Sequence, residues 1–157
     1  MNVVDSSGWL EYFADGVNAD IFAEPLQDIA NVLVPAICYY EVFKVILRER
    51  NESDALQVLA VMHQGVTIDI NPDIAVQAAK NSLQYCLPMA DSIIFTVAKQ
   101  FDSTLWTQDA DFKDLAGVRY IQKKLIHDFA YLRKPIFTVR IRNVRHISTA
   151  SRWCMSF

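Results

Sequence analysis

Four carboxylates in this chain resist a purely structural account when they are taken together. Asp5 ends a short β-type run, Asn2-Val3-Val4, and Asp109 closely follows the apolar run Leu105-Trp106-Thr107. Asp91 falls in the first turn of a helical pattern, and Glu41 lies at the edge of a core-facing stripe. Each alone has an ordinary reading: a turn start, an Asx-turn, a helix cap, or a pair with Lys44 on the same helix. Brought within about 5 Å of one another, each like-charged pair costs about 3 kcal/mol at an effective dielectric of 20. The six pairs then sum to roughly 20 kcal/mol before relaxation. Only bound cations or strongly raised pKa values make such a cluster tolerable. The donors are all oxygens, with no His or Cys at these positions, which points to Mg²⁺ or Mn²⁺ and away from structural zinc. Acidic oxygen sites of this kind serve phosphoryl chemistry, in which the ion activates water and shields the attacking and leaving oxygens.

Alternating strand and helix patterns must position these groups. Residues 2–5, Val32-Leu33-Val34, Val66-Thr67-Ile68, residues 104–107 and residues 118–121 read as short strands, with 66–68 expected to be buried. Trp9, Leu10 and Phe13 form one helical face, with base stacking as an alternative role for Trp9; residues 18–29 read as one further helix. Pro35 suits the first turn of the next helix, whose Cys38, Val42, Val45 and Ile46 make a core stripe. Ser53 is the expected cap of a helix with Leu56, Leu59 and Ala60 inward, and Asn71-Pro72 starts one with Ala75, Ala78 and Ala79 inward. After Pro88 a helix from about Asp91 carries Ile94, Val97, Ala98 and Phe101 on its apolar face. This order predicts a parallel sheet flanked by helices, a three-layer α/β/α sandwich. Open sheets of that type bind ligands beyond the carboxyl ends of their strands, where Asp5 and Asp109 fall.

The chain has 157 residues, 52% of them hydrophobic, with 4 Gly and 5 Pro. Those values exclude a disordered or collagen-like chain and fit a single sizeable core. Three widely spaced cysteines, no apolar run long enough for a membrane span and no signal-peptide pattern predict a cytoplasmic protein. Charge is uneven. Residues 1–122 hold 7 basic and 17 acidic side chains, whereas residues 123–157 hold 8 basic and 1 acidic. The break divides an acidic body, 1–122, from a basic extension, 123–157. In the extension residues 137–142 alternate as one amphipathic strand would, and Arg140, Arg142, Arg145 and Arg152 could meet phosphates.

Val3-Val4-Asp5-Ser6-Ser7, Tyr40-Glu41-Val42, Ala90-Asp91-Ser92-Ile93-Ile94 and Thr107-Gln108-Asp109-Ala110-Asp111-Phe112 occur in the order and spacing of the PIN domain. Over residues 1 to about 122 the chain resembles that family, and within it the VapC-type toxins of toxin–antitoxin pairs. The resemblance implies an α/β nuclease that cuts RNA with Mg²⁺ or Mn²⁺, forms a homodimer and is restrained by a cognate antitoxin. It places the acidic quartet on Asp5, Glu41, Asp91 and Asp109, as metal ligands and catalytic groups. Supporting positions fall on Ser6, Thr107 and Asp111, and Ser7 stands where many members carry Asn. Lys44, Arg48 and Arg50 lie at helical spacing beside Glu41, as a candidate RNA-facing groove whose ordinary reading is a solvated helix face. His63, His127 and His146 are far in sequence from the acids, which argues against a histidine-based ribonuclease. A catalytically silent protein-binding module of the same fold is the rival reading. A phosphorelay receiver fits poorly, because the first strand ends in a single Asp and no Lys stands near Thr107.

Overall fold

The computed structural model describes residues 1–124. The candidate strand at 137–142, His127, His146 and the character of the basic extension lie outside the described residues.

The strands are β1 (Asn2–Val4), β2 (Val32–Pro35), β3 (Val66–Ile68), β4 (Thr104–Thr107) and β5 (Val118–Tyr120). Between them run α1 (Ser6–Phe13), α2 (Ala19–Leu26), α3 (Ala36–Glu49), α4 (Glu52–Met62), α5 (Pro72–Tyr85) and α6 (Met89–Gln100). Single 3-10 turns cover Ile29–Asn31 and Ala110–Phe112. The sheet is parallel throughout, in the order β3-β2-β1-β4-β5, with Val3 opposite Leu33 on one side and Leu105 on the other. The three-layer α/β expectation therefore holds. Val3, Val4, Val32, Val34 and Leu105 are fully buried, as strands covered by helices on both faces require.

Chain order and spatial order part company at β1. After β1 the chain builds outward through β2 and β3, and the crossover through α5 and α6 then returns it to β4 on β1's other side. Such a reversal opens a crevice beyond the carboxyl ends of β1 and β4. Helix α6 lines this region and is buried from Ser92 to Ala98 on every side, so its apolar face is wider than an amphipathic stripe.

Several local expectations are corrected. The strand at 66–68 is a sheet edge, and Val66 is 41% exposed. The helix expected over 18–29 stops at Leu26, just after Pro25, whose missing N–H takes one backbone donor from the last turn. Asn51, not Ser53, caps α4 by accepting the Asp54 N–H, and the inward face becomes Ala55, Val58 and Met62 while Leu56 is 53% exposed. In α5 the inward residues are Ile74, Ala78 and Asn81, with Ala75 and Ala79 outside. Pro35 closes β2 rather than entering α3, α6 begins at Met89, and Phe101 sits exposed just past its end. Trp9 is fully buried against Phe13, which removes base stacking as its role.

Gly8 lets α1 approach α2. A Cβ there would stand 2.6 Å from the Phe22 ring and 2.9 Å from Val4. Both neighbours are fully buried, so Gly8→Ala should destabilise the protein by about 1–3 kcal/mol, read as a lower urea midpoint at unchanged slope.

Candidate active site

Asp5 leaves β1 and caps α1 in the same step. Its Oδ1 accepts the Ser6 backbone N–H at 2.6 Å. Its Oδ2 accepts the Ser7 N–H at 3.3 Å, the Ser7 hydroxyl at 2.6 Å and the Thr107 hydroxyl at 2.9 Å. Burial pushes the Asp5 carboxyl above its usual range, and the four hydrogen bonds pull it partly back. Thr107, fully buried at the end of β4, also accepts the Asp109 N–H at 2.9 Å. One hydroxyl thus links the chain after β1 to the chain after β4. Asp109 opens the following 3-10 turn, and its Oδ1 accepts the Asp111 N–H at 3.0 Å.

Glu41 projects from the middle of α3 and is half-buried. Its Oε2 accepts the Ser6 hydroxyl at 2.7 Å. Burial raises its pKa most; the Ser6 bond lowers it, Asp5 raises it, Lys44 lowers it and Asp109 raises it. Asp91, in the first turn of α6, is pushed up to about 7 by burial and then by Asp5, Asp109, Glu41 and Asp111 in turn. Among the described residues nothing donates a hydrogen bond to its carboxylate. The structure therefore brings Asp5, Glu41, Asp91 and Asp109 into one electrostatic unit, with exposed Asp111 at its rim.

The donor chemistry suits a hard cation. Cys38 lies beneath Asp5 and Glu41, but burial and those two charges hold its thiol protonated, well above its ordinary range. Only oxygens are left to offer. Among the described residues no three His, Cys, Asp or Glu side chains form a ready-made cage, so the carboxylates would have to close in on an ion.

The basic candidates divide. Lys44 faces Glu41 electrostatically and rests 5.2 Å over the Tyr40 ring. Arg48 pairs with Glu49 at 2.7 Å and Arg50 with Asp54 at 3.7 Å, so of the three Lys44 is the one coupled to Glu41. His63 is exposed and stacked on Tyr39. Two features escaped the sequence reading. Ser7 is a direct hydrogen-bond donor to Asp5, and Gln108 is buried behind it; neither residue type signals burial in so polar a stretch.

A parallel α/β sheet with an acidic pocket at its point of strand reversal defines the class. The profile of the PIN domain family matches residues 3–118, and the chain belongs to that family. Its fold is similar to that of a toxin–antitoxin complex from Klebsiella pneumoniae, at 21% identity and TM-score 0.66 over 76% of this chain and 96% of that one. It is similar also to VapC20 of Mycobacterium tuberculosis, described as a sarcin–ricin loop cleaving toxin, at 14% identity and TM-score 0.65 over 80% and 100%. A third similar structure is VapBC2 from Rickettsia felis bound to a promoter DNA fragment, at 12% identity and TM-score 0.62 over 76% and 96%. No curated protein sequence matches the chain significantly. No described helix is long and apolar enough to cross a membrane.

The raised Asp91 pKa has a stability consequence in metal-free protein. The native state holds the Asp91 proton up to about 7, whereas the unfolded chain releases it near 3.8. Between those values the native state binds more protons, so stability falls as pH rises through that window. Asp91→Asn removes this loss. At pH 8 the variant should exceed wild type by about 1–2 kcal/mol, solvent screening of this half-exposed group included, and the two should converge near pH 4. Chemical denaturation at both pH values, in chelator, checks it.

Proposed function

We propose that this chain is a Mg²⁺- or Mn²⁺-dependent endoribonuclease and the toxin half of a toxin–antitoxin pair. The observation that carries the reading is the coupling of four carboxylates at the sheet's point of reversal, with Asp91 lifted to about 7. Asp5, Asp91 and Asp109 would hold the ion, and Glu41 would bind it or a second one. When bound, the ion supplies a water of lowered pKa and shields the phosphodiester oxygens. Asp5 is pre-oriented: three donors occupy Oδ2, and Oδ1, with one, keeps a lone pair to give. Among the described residues Asp91 has no competing donor, and it would give up its proton to a bound cation. Ser6 aims Glu41, and Thr107 fixes Asp109 relative to Asp5. Lys44 stands where it can meet a substrate phosphate. A protein antitoxin as partner is supported by the toxin–antitoxin complexes among the similar folds. A homodimer and a cytoplasmic site of action complete the reading, with the body at 1–122 carrying it and the basic extension 123–157 as a separate unit.

Incubation of the protein with RNA in Mg²⁺ or Mn²⁺ should yield fragments with 5′-phosphate and 3′-hydroxyl ends, and chelator should abolish them. Asp5→Asn, Asp91→Asn and Asp109→Asn should each lower the rate on the order of 100-fold or more. A cyclic-phosphate product would reject the mechanism. Wild type that cuts no RNA under any metal while retaining a protein partner would establish the silent module instead. On the binding side, Lys44→Ala should reduce the salt slope of RNA affinity by about one phosphate contact, and Arg48→Ala should leave it unchanged. Filter binding across a salt series reads both.

A further inference from the structure

Directly behind the acidic pocket lies a second polar cluster that the reading above does not use. Glu11, Asn18 and Gln108 are 8%, 1% and 8% exposed. The Glu11 carboxylate is held by neutral donors: the Asn18 backbone N–H at 2.8 Å on Oε1, and the Gln108 side-chain amide at 3.3 Å on Oε2. The turn between them closes tightly enough that a Cβ at Gly16 would collide with this carboxylate. The same Gln108 amide donates to the Ser7 carbonyl at 3.3 Å, and the Gln108 backbone N–H donates to the Ser7 hydroxyl at 3.3 Å. Its Oε1 accepts from Asn18 Nδ2 at 3.4 Å, and that Nδ2 also donates to the Gln122 carbonyl at 3.1 Å. Asn18 Oδ1 is buried without a partner among the described residues.

Burying a carboxylate and an amide on neutral partners is costly, and an apolar pair would join α1 to the β4 end more cheaply. The cluster's position gives it another use. Gln108 lies between Thr107 and Asp109, and it grips Ser7, whose hydroxyl holds Asp5 at 2.6 Å. Apart from the Asn18 bond to the Gln122 carbonyl, each bond of the cluster therefore ends on the segment carrying Asp5 or on the segment carrying Asp109. We propose that Gln108, clamped by Glu11 and Asn18, is a positioning residue that sets the spacing of Asp5 and Asp109 and so the cation affinity of the pocket. This inference rests on the metal-dependent reading above and adds the residues that tune it.

Titration calorimetry of the full chain with Mn²⁺ tests it, alongside thermal melts in chelator. Gln108→Met, which keeps the volume and removes the amide, should weaken Mn²⁺ binding about 10-fold or more while the far-ultraviolet spectrum stays native. Val58→Ala, in the core of α4 away from the pocket, should lower the melting temperature and leave Mn²⁺ affinity within 2-fold. Affinity within 2-fold of wild type for Gln108→Met overturns the inference, as does an equal affinity loss in Val58→Ala, which would mark the effect as general loosening. Should Gln108→Met fail to fold, Glu11→Gln reads the same contact: several-fold weaker Mn²⁺ binding supports the inference and unchanged binding overturns it. Wild type that takes up no Mn²⁺ overturns the metal reading itself, a result distinct from wild-type binding that the variants leave untouched.

Discussion

Mutual repulsion among carboxylates confined to one crevice is the constraint to which the surrounding structure answers. The response is asymmetric. Asp5, the most deeply buried, receives four hydrogen bonds from Ser6, Ser7 and Thr107, which stabilise its charged form against desolvation. Among the described residues Asp91 receives none, so burial and then the repulsion of its neighbours are expressed there, as a carboxyl titrating at about 7. A pocket arranged this way has one rigid acid and one that responds to its occupant. A doubly charged ion in the cluster would relieve Asp91 first.

The fold creates the crowding. Because β4 returns to the far side of β1 after β2 and β3 have been laid down, the segments after β1 and β4 separate beyond the sheet and leave a gap. Asp5 and Asp109 enter it from the strand ends, Glu41 from α3 and Asp91 from α6. Helix α6 holds its place because it is buried on all sides from Ser92 to Ala98, which leaves its first turn little freedom to swing Asp91 away. Asn81 on α5 donates to Thr96 at 2.8 Å and Thr96 donates to the Ser92 carbonyl, so even the polar groups of α6 are tied inward.

Much of this was legible in the sequence, because strand ends and helix starts are local signals. The runs at 2–4 and 104–107 are short and end on polar residues, so Asp5 and Asp109 could be placed at carboxyl ends without tertiary information. What escaped was decided by neighbours. Whether Val66 is central or at an edge depends on sheet order, which periodicity does not encode. Leu56 and Ala55 differ by one position on α4, and the packing of α4 against α3 settles which faces inward. The α6 stripe predicted Phe101 inside, yet a helix surrounded by sheet and helices has no preferred face to reveal. Glu11 and Gln108 carry no local signal of burial, because the contact between them spans 97 positions.

The same asymmetry of charge bears on how an acidic body meets a polyanion. Seven basic side chains against seventeen acidic ones in residues 1–122 repel RNA at range, but beyond about 8 Å physiological salt screens most of that field. What remains is decided at contact, inside the crevice. Two doubly charged ions would neutralise the four carboxylates, and Lys44, beside Glu41 and braced over Tyr40, would then tip the local balance toward an incoming phosphate. On this account substrate affinity is coupled to metal occupancy. The residues that fix the spacing of the acids therefore govern both.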